Sequence, residues 1–258
     1  PARWPGPIDR VDAPRALAAG GHPSATTDDG PRGGRLEPLG QAGGRITAMA
    51  VDGDRLVCGH GARLRIATLE GAGPPTWLGE TGMLGERVAD VVVAGALAYV
   101  AAGYDGLQLV DASDGLAPIR VGGTRLDVVK DWAGEHVPAA LRVSVAGGLA
   151  AVVTGDGVQW VDVSDATRPR VVGAYGSRAH PYEPDSVRDA LLLGRHALVA
   201  QSEDGFVVLD LARPDQPVVV AELTDVRPRA IAVTGAHAFL ALEQPPGLLV
   251  LAVADPAV

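Results

Sequence analysis

One eighteen-residue segment occurs three times along the chain, with changes. It is GLQLVDASDGLAPIRVGG at residues 106–123, GVQWVDVSDATRPRVVGA at 157–174 and GFVVLDLARPDQPVVVAE at 205–222. At intervals of 41 to 52 residues a glycine ends an apolar run: Gly53, Gly95, Gly147, Gly194 and Gly235. Repetition with a period of about 40 to 50 residues is typical of propellers and solenoids. The chain is therefore expected to consist of five related units.

Each unit contains four short apolar runs separated by turn residues. In the second unit the runs are ADVVVAG, ALAYVAA, LQLVD and PIRVG, and an Asp-Gly pair separates the second run from the third. Short runs rich in Val, Leu and Ala predict β-strands, and Asp-Gly supplies the positive φ of a hairpin turn. Proline at the head of the fourth run fits an edge strand. Four antiparallel strands repeated radially predict an all-β fold, a β-propeller.

The units predict five four-stranded blades within one domain, residues 35–258. Their approximate bounds are 45–80, 81–123, 124–174, 175–222 and 223–258. The fifth unit ends in GLLVLAVADPAV, where its fourth strand is due, whereas RLEPLGQ at 35–41 contains a Leu-Gly pair like those that end other fourth strands. We therefore expect residues 35–41 to complete the last blade and close the ring, which leaves no exposed edge. The alternative is a fragment of a larger ring.

Residues 1–34 precede the repeats and are rich in Pro, Gly and Ala. Such a composition does not form a core of its own, so we expect an extended arm that lies on the propeller or on another subunit. Trp4 is the expected anchor of this arm.

Composition excludes several classes of protein. A net charge of −9 argues against nucleic-acid binding, which needs a basic surface. No apolar run approaches the roughly 18 residues of a membrane-spanning helix, so we expect no transmembrane segment. Cys58 is the single cysteine, expected to be a buried small hydrophobe, although His60 is close enough in sequence to serve as a base. No established catalytic motif occurs, so we predict no enzyme.

Acidic residues recur at fixed places in the repeat. Asp111, Asp162 and Asp210 end the third strand, and Asp114 and Asp165 follow three residues after the first two. Short acidic side chains commonly accept hydrogen bonds from backbone N–H groups of turns. A residue needed in every blade serves the blade, so we predict a structural role for these carboxylates.

The innermost strands differ at one position, five residues before the turn glycine. Three blades place a charged residue there: Asp90, Arg142 and Asp189. Because innermost strands line the channel of a propeller, these groups are expected near its mouth. They would form an ion-paired plug or, alternatively, the site of a hydrolase or polar-ligand binder using the two carboxylates.

Two connections between blades are longer than the others, residues 123–140 and 174–186. Both leave a fourth strand, so they are expected on the same face, where long loops commonly bind partners. They predict a partner-binding rim composed of Trp132, His136, His180, Tyr182, Glu183 and Asp185. Trp132 and Tyr182 would anchor a protein contact. A metal held by His136, His180 and Glu183 is the alternative; its spacing matches no established motif, and we predict no metal or cofactor.

The stretches AYVAAGYDGLQLVDASDGLAPIRVG and AAVVTGDGVQWVDVSDATRPRVVG resemble the LVIVD repeat family. The resemblance covers roughly residues 45–255 and is looser in the fourth unit, where Leu211-Ala212-Arg213 replaces V-S-D. It implies a propeller of bacterial or archaeal type, exported to the periplasm, cell surface or medium, without a common enzymatic activity. The expected function is a non-catalytic scaffold, an exported accessory subunit that binds another protein or the subunits of a complex.

Overall fold

A computed structural model describes residues 45–69, 73–131, 134–176 and 187–253. Every regular element within these ranges is a β-strand. The described part of the chain therefore offers no helix that is long and apolar enough to cross a membrane.

Twenty-one strands form five large sheets and one short hairpin. The first sheet contains β1 Ile46–Asp52, β2 Arg55–His60, β3 Arg63–Thr68 and β4 Thr76–Glu80. The second contains β5 Asp90–Ala94, β6 Leu97–Ala101, β7 Leu107–Asp111 and β8 Ile119–Thr124. The hairpin contains β9 Val129–Asp131 and β10 Gly134–His136.

The third sheet contains β11 Arg142–Ala146, β12 Leu149–Val153, β13 Gly157–Asp162 and β14 Arg170–Gly176. The fourth contains β15 Val187–Leu193, β16 His196–Gln201, β17 Gly205–Asp210 and β18 Val218–Leu223. The fifth contains β19 Arg227–Thr234, β20 His237–Gln244 and β21 Gly247–Ala252.

Each large sheet is an antiparallel meander whose strands pair in chain order. The repeat glycines at the first turn, such as Gly95 and Gly194, have φ between +54° and +62°. A side chain with a Cβ is strained in this left-handed region, which explains why glycine recurs there. The first strands contact one another in series, β1 with β5, β5 with β11, β11 with β15 and β15 with β19. The five sheets are therefore stacked in chain order around their first strands.

The core lies between neighbouring sheets. Four clusters of buried side chains each join two consecutive sheets. Successive residues of one strand face different clusters: Leu109 packs toward the third sheet and Val110 toward the first. Because the inner sheets are covered on both faces, their second strands, such as β6 and β12, are apolar and lack the alternation of half-exposed strands.

The fourth strand of each four-stranded sheet has a bulge at the same place. In β14 the pairing jumps from Val171 to Gly173, and β4, β8 and β18 show the same shift. A methyl group added at Gly173 would overlap the carbonyl oxygen of Pro214, in a turn of the next sheet. Glycine after the bulge thus lets β4, β8 and β14 approach the turn of the next sheet closely.

The fifth sheet has three strands among the described residues, and β21 is its last. On its face away from the fourth sheet, Leu248 is 65% exposed and Val250 is 47% exposed. At the other end, Met49 of β1 is 55% exposed. No contact comparable to those between consecutive sheets joins β19 to β1 among the described strands. Residues 35–41, expected to complete the fifth blade, lie outside the described residues.

Candidate functional site

Both carboxylates expected at the channel mouth bind the backbone of the next sheet. Asp90 Oδ2 accepts a hydrogen bond of 3.0 Å from the N–H of Val143. Asp189 Oδ2 accepts one of 2.9 Å from the N–H of Ile231, and its Oδ1 accepts another from Ala190. Asp189 is buried, whereas Asp90 is half-buried. Val143 and Ile231 occupy equivalent places in their sheets. Each directly follows the first-strand position at which the second and fourth sheets carry Asp90 and Asp189.

The other two junctions between consecutive sheets also contain a side-chain hydrogen bond. Thr47 Oγ1 donates to the carbonyl oxygen of Val88 over 2.6 Å, and the N–H of Leu192 donates to Ser144 Oγ over 3.0 Å. Each described junction thus joins a polar side chain near the first strand of one sheet to the backbone of the next. This series identifies the junctions as structural links.

Arg142 was expected to meet the two carboxylates. Its side chain is exposed, and among the described residues no ion pair joins it to Asp90 or Asp189. The structure therefore places the three residues on three adjacent inner strands without bringing them into one described cluster.

The repeated turn carboxylates have the structural role that the sequence predicts. Asp162 Oδ1 accepts hydrogen bonds from the N–H and the hydroxyl of Ser164, over 3.0 and 2.6 Å. Arg170 donates to Asp162 Oδ2 over 2.9 Å. The Ser164 bonds, followed by Arg170, lower the pKa of Asp162 from 3.8 to about 2. Asp111, Asp210, Asp114 and Asp165 accept equivalent backbone bonds.

Only one residue of the expected partner-binding rim lies within the described residues. His136 ends β10, and its Nε2 lies 3.1 Å from Oδ2 of Asp156, which belongs to the Asp-Gly turn of the third sheet. The rim residues Trp132, His180, Tyr182, Glu183 and Asp185 lie outside the described residues, as does Trp4. Within the described ranges, no three His, Cys, Asp or Glu side chains are placed to hold a metal ion.

A glutamine of the third sheet binds an extended segment of the chain. Gln159 Oε1 accepts from the N–H of Asp127 over 2.8 Å, and Gln159 Nε2 donates to the Asp127 carbonyl oxygen over 2.9 Å. Leu126 beside it is buried. This contact was not predicted from the sequence. The sequence feature that indicates it is the glutamine that GLQLVD and GVQWVD share, where GFVVLD has valine.

Cys58 is 4% exposed, as expected for a small hydrophobe. Burial raises the pKa of its thiol, and the nearby Arg65 opposes this shift only in part. The thiolate that a nucleophile requires is therefore disfavoured. Arg65 itself stacks on Trp77, 4.5 Å from the ring centroid.

Two segments of the chain match the family model of the LVIVD repeat, residues 85–123 and 139–176. They contain the second and third sheets, and they confirm the predicted resemblance. No curated protein matches the chain.

Solved structures show a similar fold at low sequence identity. The computationally designed Ika8 protein is 12% identical, with a TM-score of 0.59 over 82% of this chain and 59% of that chain. The designed Ika4 protein is 12% identical, with a TM-score of 0.50 over 70% and 100%. BamB from Moraxella catarrhalis, a β-propeller, is 13% identical, with a TM-score of 0.51 over 80% and 57%. The chain thus spans less than two thirds of Ika8 and of BamB. The repeats, the sheets and BamB together identify a β-propeller fold.

Proposed function

We propose that this chain, a β-propeller with two LVIVD repeats, is a non-catalytic scaffold that binds another protein. It would act as an exported accessory subunit of a larger assembly. Export is supported by the family resemblance alone, and fractionation of the source cells tests it: the protein should leave with the periplasmic, surface or culture fraction and not with the cytoplasm.

One observation favours binding over catalysis. Asp90 and Asp189, the carboxylates that a hydrolase would need, each accept a backbone N–H from the next sheet. A carboxylate engaged in this way has fewer lone pairs available for an acid, a base or a nucleophile. By contrast, the side-chain amide of Gln159 holds both backbone groups of Asp127, a residue of a connecting segment of this chain. The molecule therefore offers a way to bind polypeptide but no free catalytic pair at this position.

The proposed partner surface is the rim formed by the two long connections. Hairpin β9–β10 belongs to the first of these, and His136 fixes it to the turn of the third sheet through Asp156. A hairpin held on a rigid sheet can present neighbouring side chains with little loss of entropy on binding. Trp132 and Tyr182 are proposed as anchors because aromatic side chains contribute most to protein interfaces.

We propose that the ring has five blades and that residues 35–41 complete the fifth. The three-stranded fifth sheet supports this proposal, since β21 occupies the place of a third strand with no described partner beyond it. In the other sheets the bulge precedes a glycine or an alanine, Gly79, Gly122, Gly173 and Ala221. Leu39-Gly40 offers the same pair, and pairing of this segment with β21 would place Gly40 opposite Val250.

The experiment that tests the function is capture of partners from extracts of the source under mild conditions. Wild-type protein should retain one protein in stoichiometric amount, identified by mass spectrometry. A variant with Trp132→Ala and Tyr182→Ala should lose it while melting at the same temperature as wild type. Retention of no stoichiometric protein, or equal retention by both forms, would contradict the proposal.

The hydrolase alternative makes a different prediction. Asp90→Ala and Asp189→Ala would then abolish a turnover activity, found in a substrate screen, without lowering the melting temperature. Under the scaffold proposal these substitutions lower stability instead.

A further inference from the structure

The side-chain amide of Gln108, in the second sheet, is buried, and one of its two polar groups has no hydrogen-bond partner among the described residues. Its side chain is 4% exposed, and its Nε2 donates to the carbonyl oxygen of Asp105 over 2.6 Å. This bond fixes the orientation of the amide, because an oxygen in that place would face another oxygen. Oε1 has no hydrogen-bond partner among the described residues. A buried acceptor without a partner destabilises the fold, and a suitable donor would remove that penalty.

Gln108 lines an open cavity of about 340 Å³ beside β7 and β8. Gly85, in the connection from the first sheet, forms the opposite side. Arg120 and Arg125 contribute two guanidinium groups to the lining, and Arg125 lies 3.7 Å from Asp105. With two cationic groups and one carboxylate, the cavity carries a net positive charge, although the chain as a whole is acidic.

The third sheet shows what a glutamine at this position binds. Gln108 pairs across the strands with Gly123, and Gln159 pairs in the same way with Ala174. Gln159 binds both backbone groups of Asp127, a residue of an extended segment of this chain. In the second sheet, residues 83–85 of the connection from the first sheet line the cavity, but none of their backbone groups bonds Gln108 Oε1, so the same amide oxygen has no donor among the described residues.

The fourth sheet provides a natural contrast. At the equivalent pair, Val207 and Glu222 replace the glutamine and the glycine. A smaller cavity of about 240 Å³ lies there, lined also by Glu203 and Asp204. It has no amide at this position, although Gln201 of β16, whose buried Oε1 also has no partner among the described residues, lines it; with three carboxylates it is acidic where the cavity of the second sheet is basic.

We propose that the cavity at Gln108 binds an extended, acidic peptide segment of the partner protein. A backbone N–H of the segment donates to Gln108 Oε1, and an Asp or Glu side chain binds Arg120 and Arg125. This proposal rests on the proposed scaffold function and gives the chemistry of the partner. The bond to Gln108 Oε1 corresponds to the one that Gln159 Oε1 accepts from Asp127, formed here between two chains.

Access to Gln108 Oε1 depends on Arg120. A methyl group added at Gly123 would meet Gln108 Oε1, and it would also lie 3.0 Å from Arg120 Nη2. Both atoms border the same small space, so the guanidinium lies close to the amide oxygen. Arg120 is exposed, and its described hydrogen bond is a long one, 3.3 Å from Nε to the carbonyl oxygen of Gly122. The guanidinium can therefore turn toward an incoming carboxylate and leave the amide oxygen open to a backbone N–H.

The test is calorimetric titration of the full chain with the blocked acidic peptide acetyl-ALDVVA-amide, which keeps residues 126–129, the stretch that contains Asp127, and replaces the flanking Arg125 and Lys130 by Ala so that Asp carries the only charge. Binding should weaken about tenfold in Gln108→Leu and in the double variant Arg120→Ala, Arg125→Ala, as expected for one lost charge-assisted or buried hydrogen bond. The analogue with Asn in place of Asp should bind wild type about tenfold more weakly. Gln216→Leu and Arg168→Ala are matched exposed controls and should leave the affinity unchanged.

Amide spectra of the isotope-labelled protein keep the test decisive if Gln108→Leu fails to fold. On addition of the peptide to wild type, the side-chain amide of Gln108 and the backbone amides of Gly85 and Gly123 should shift first. Shifts confined to the cavity of the fourth sheet, equal binding of the Asp and Asn peptides, or no binding at millimolar peptide would overturn the proposal.

The two proposals fail in different ways. Stoichiometric capture of a native partner by wild type and equally by Gln108→Leu would leave the scaffold function standing and refute the cavity as its site. Specific binding of the acidic peptide at Gln108, without any native partner in extracts, would support the cavity and refute the scaffold.

Discussion

At the scale of single residues, polar side chains in this chain mostly bind backbone. Asp189 is 1% exposed and joins the N–H of Ile231 in the fifth sheet to that of Ala190 in its own. Asp90 makes the equivalent bond from the second sheet to Val143, but it is half-buried. The free energy of unfolding that such a hydrogen bond contributes rises with burial, since water can replace a lost partner only where it has access.

Asp189→Ala should therefore lower the free energy of unfolding by about 2–3 kcal/mol, because two N–H groups lose their acceptor in a buried place. Asp90→Ala should cost less, about 1 kcal/mol, at its half-buried position. Urea titrations of both variants and wild type measure the difference. Equal losses, or no loss at Asp189, would contradict the structural role assigned to these carboxylates.

The turn carboxylate Asp162 predicts a pH dependence of stability. Its pKa is lowered to about 2 in the folded chain, first by the Ser164 hydrogen bonds and then by Arg170. A lowered folded pKa stabilises the fold above the unfolded value of 3.8, and this contribution disappears as pH falls toward about 2. Because Asp162 is solvent-accessible, the effect should be small.

Asp162→Asn should consequently flatten the part of the stability profile between about pH 4 and 2, relative to wild type. Denaturant titrations at several pH values test this, and carbon NMR of the Asp162 carboxyl group gives its pKa directly. A midpoint near the ordinary value of 3.8 would show that the Ser164 and Arg170 bonds do not hold in solution.

At the scale of elements, the fourth strand is where the repeat meets its neighbour. The bulge in β14 places Gly173 against the carbonyl oxygen of Pro214, whereas the nearest atom to a methyl group at Gly176 would be 3.7 Å away. The two glycines lie in one strand and differ in the space beside them. They form a matched pair for testing close packing between sheets.

Gly173→Ala should lower the free energy of unfolding by about 2 kcal/mol or more, because the carbonyl oxygen it meets belongs to a rigid turn. Gly176→Ala should change it by less than about 0.5 kcal/mol. Thermal and urea unfolding of both variants provide the comparison. If the two substitutions cost the same, the sheets are not packed through this glycine.

The repeat predicted the elements well because each strand is short, apolar and bounded by a turn signal. In the second unit, for example, the turn glycine Gly95 and the Asp-Gly pair predicted where the strands begin and end. The bulge before Gly122 was not foreseen, since Leu-Gly and Val-Gly endings do not distinguish a bulge from a regular pair. The binding of Asp127 by Gln159 also escaped prediction, because the two residues are 32 positions apart and belong to different elements.

At the scale of the whole molecule, the two ends of the stack determine how the ring closes. Met49 on the first sheet and Leu248 and Val250 on the fifth expose apolar side chains on faces that, in the inner sheets, contact a neighbour. The edge of β21, which has no partner strand among the described residues, lies at the same end. An intact five-bladed ring would bury these groups by joining the fifth sheet to the first through residues 35–41.

Hydrogen exchange of the full chain tests this closure. Amides of residues 36–41 should exchange as slowly as those of β14, because they would pair with β21. Gly40→Ala should speed their exchange, as its Cβ would meet the neighbouring turn, while Gly43→Ala serves as the control. Exchange of residues 36–41 at the rate of an unfolded peptide would contradict a ring closed by this segment.

The size of the endogenous protein shows whether this propeller acts as a binding scaffold. Extracts of the source, prepared without denaturant, would be separated by size, and the chain located by mass spectrometry of the fractions. We expect the chain to elute well above the mass of a single copy, together with one different protein in constant ratio. Elution as a lone monomer, or only with further copies of itself, would contradict it.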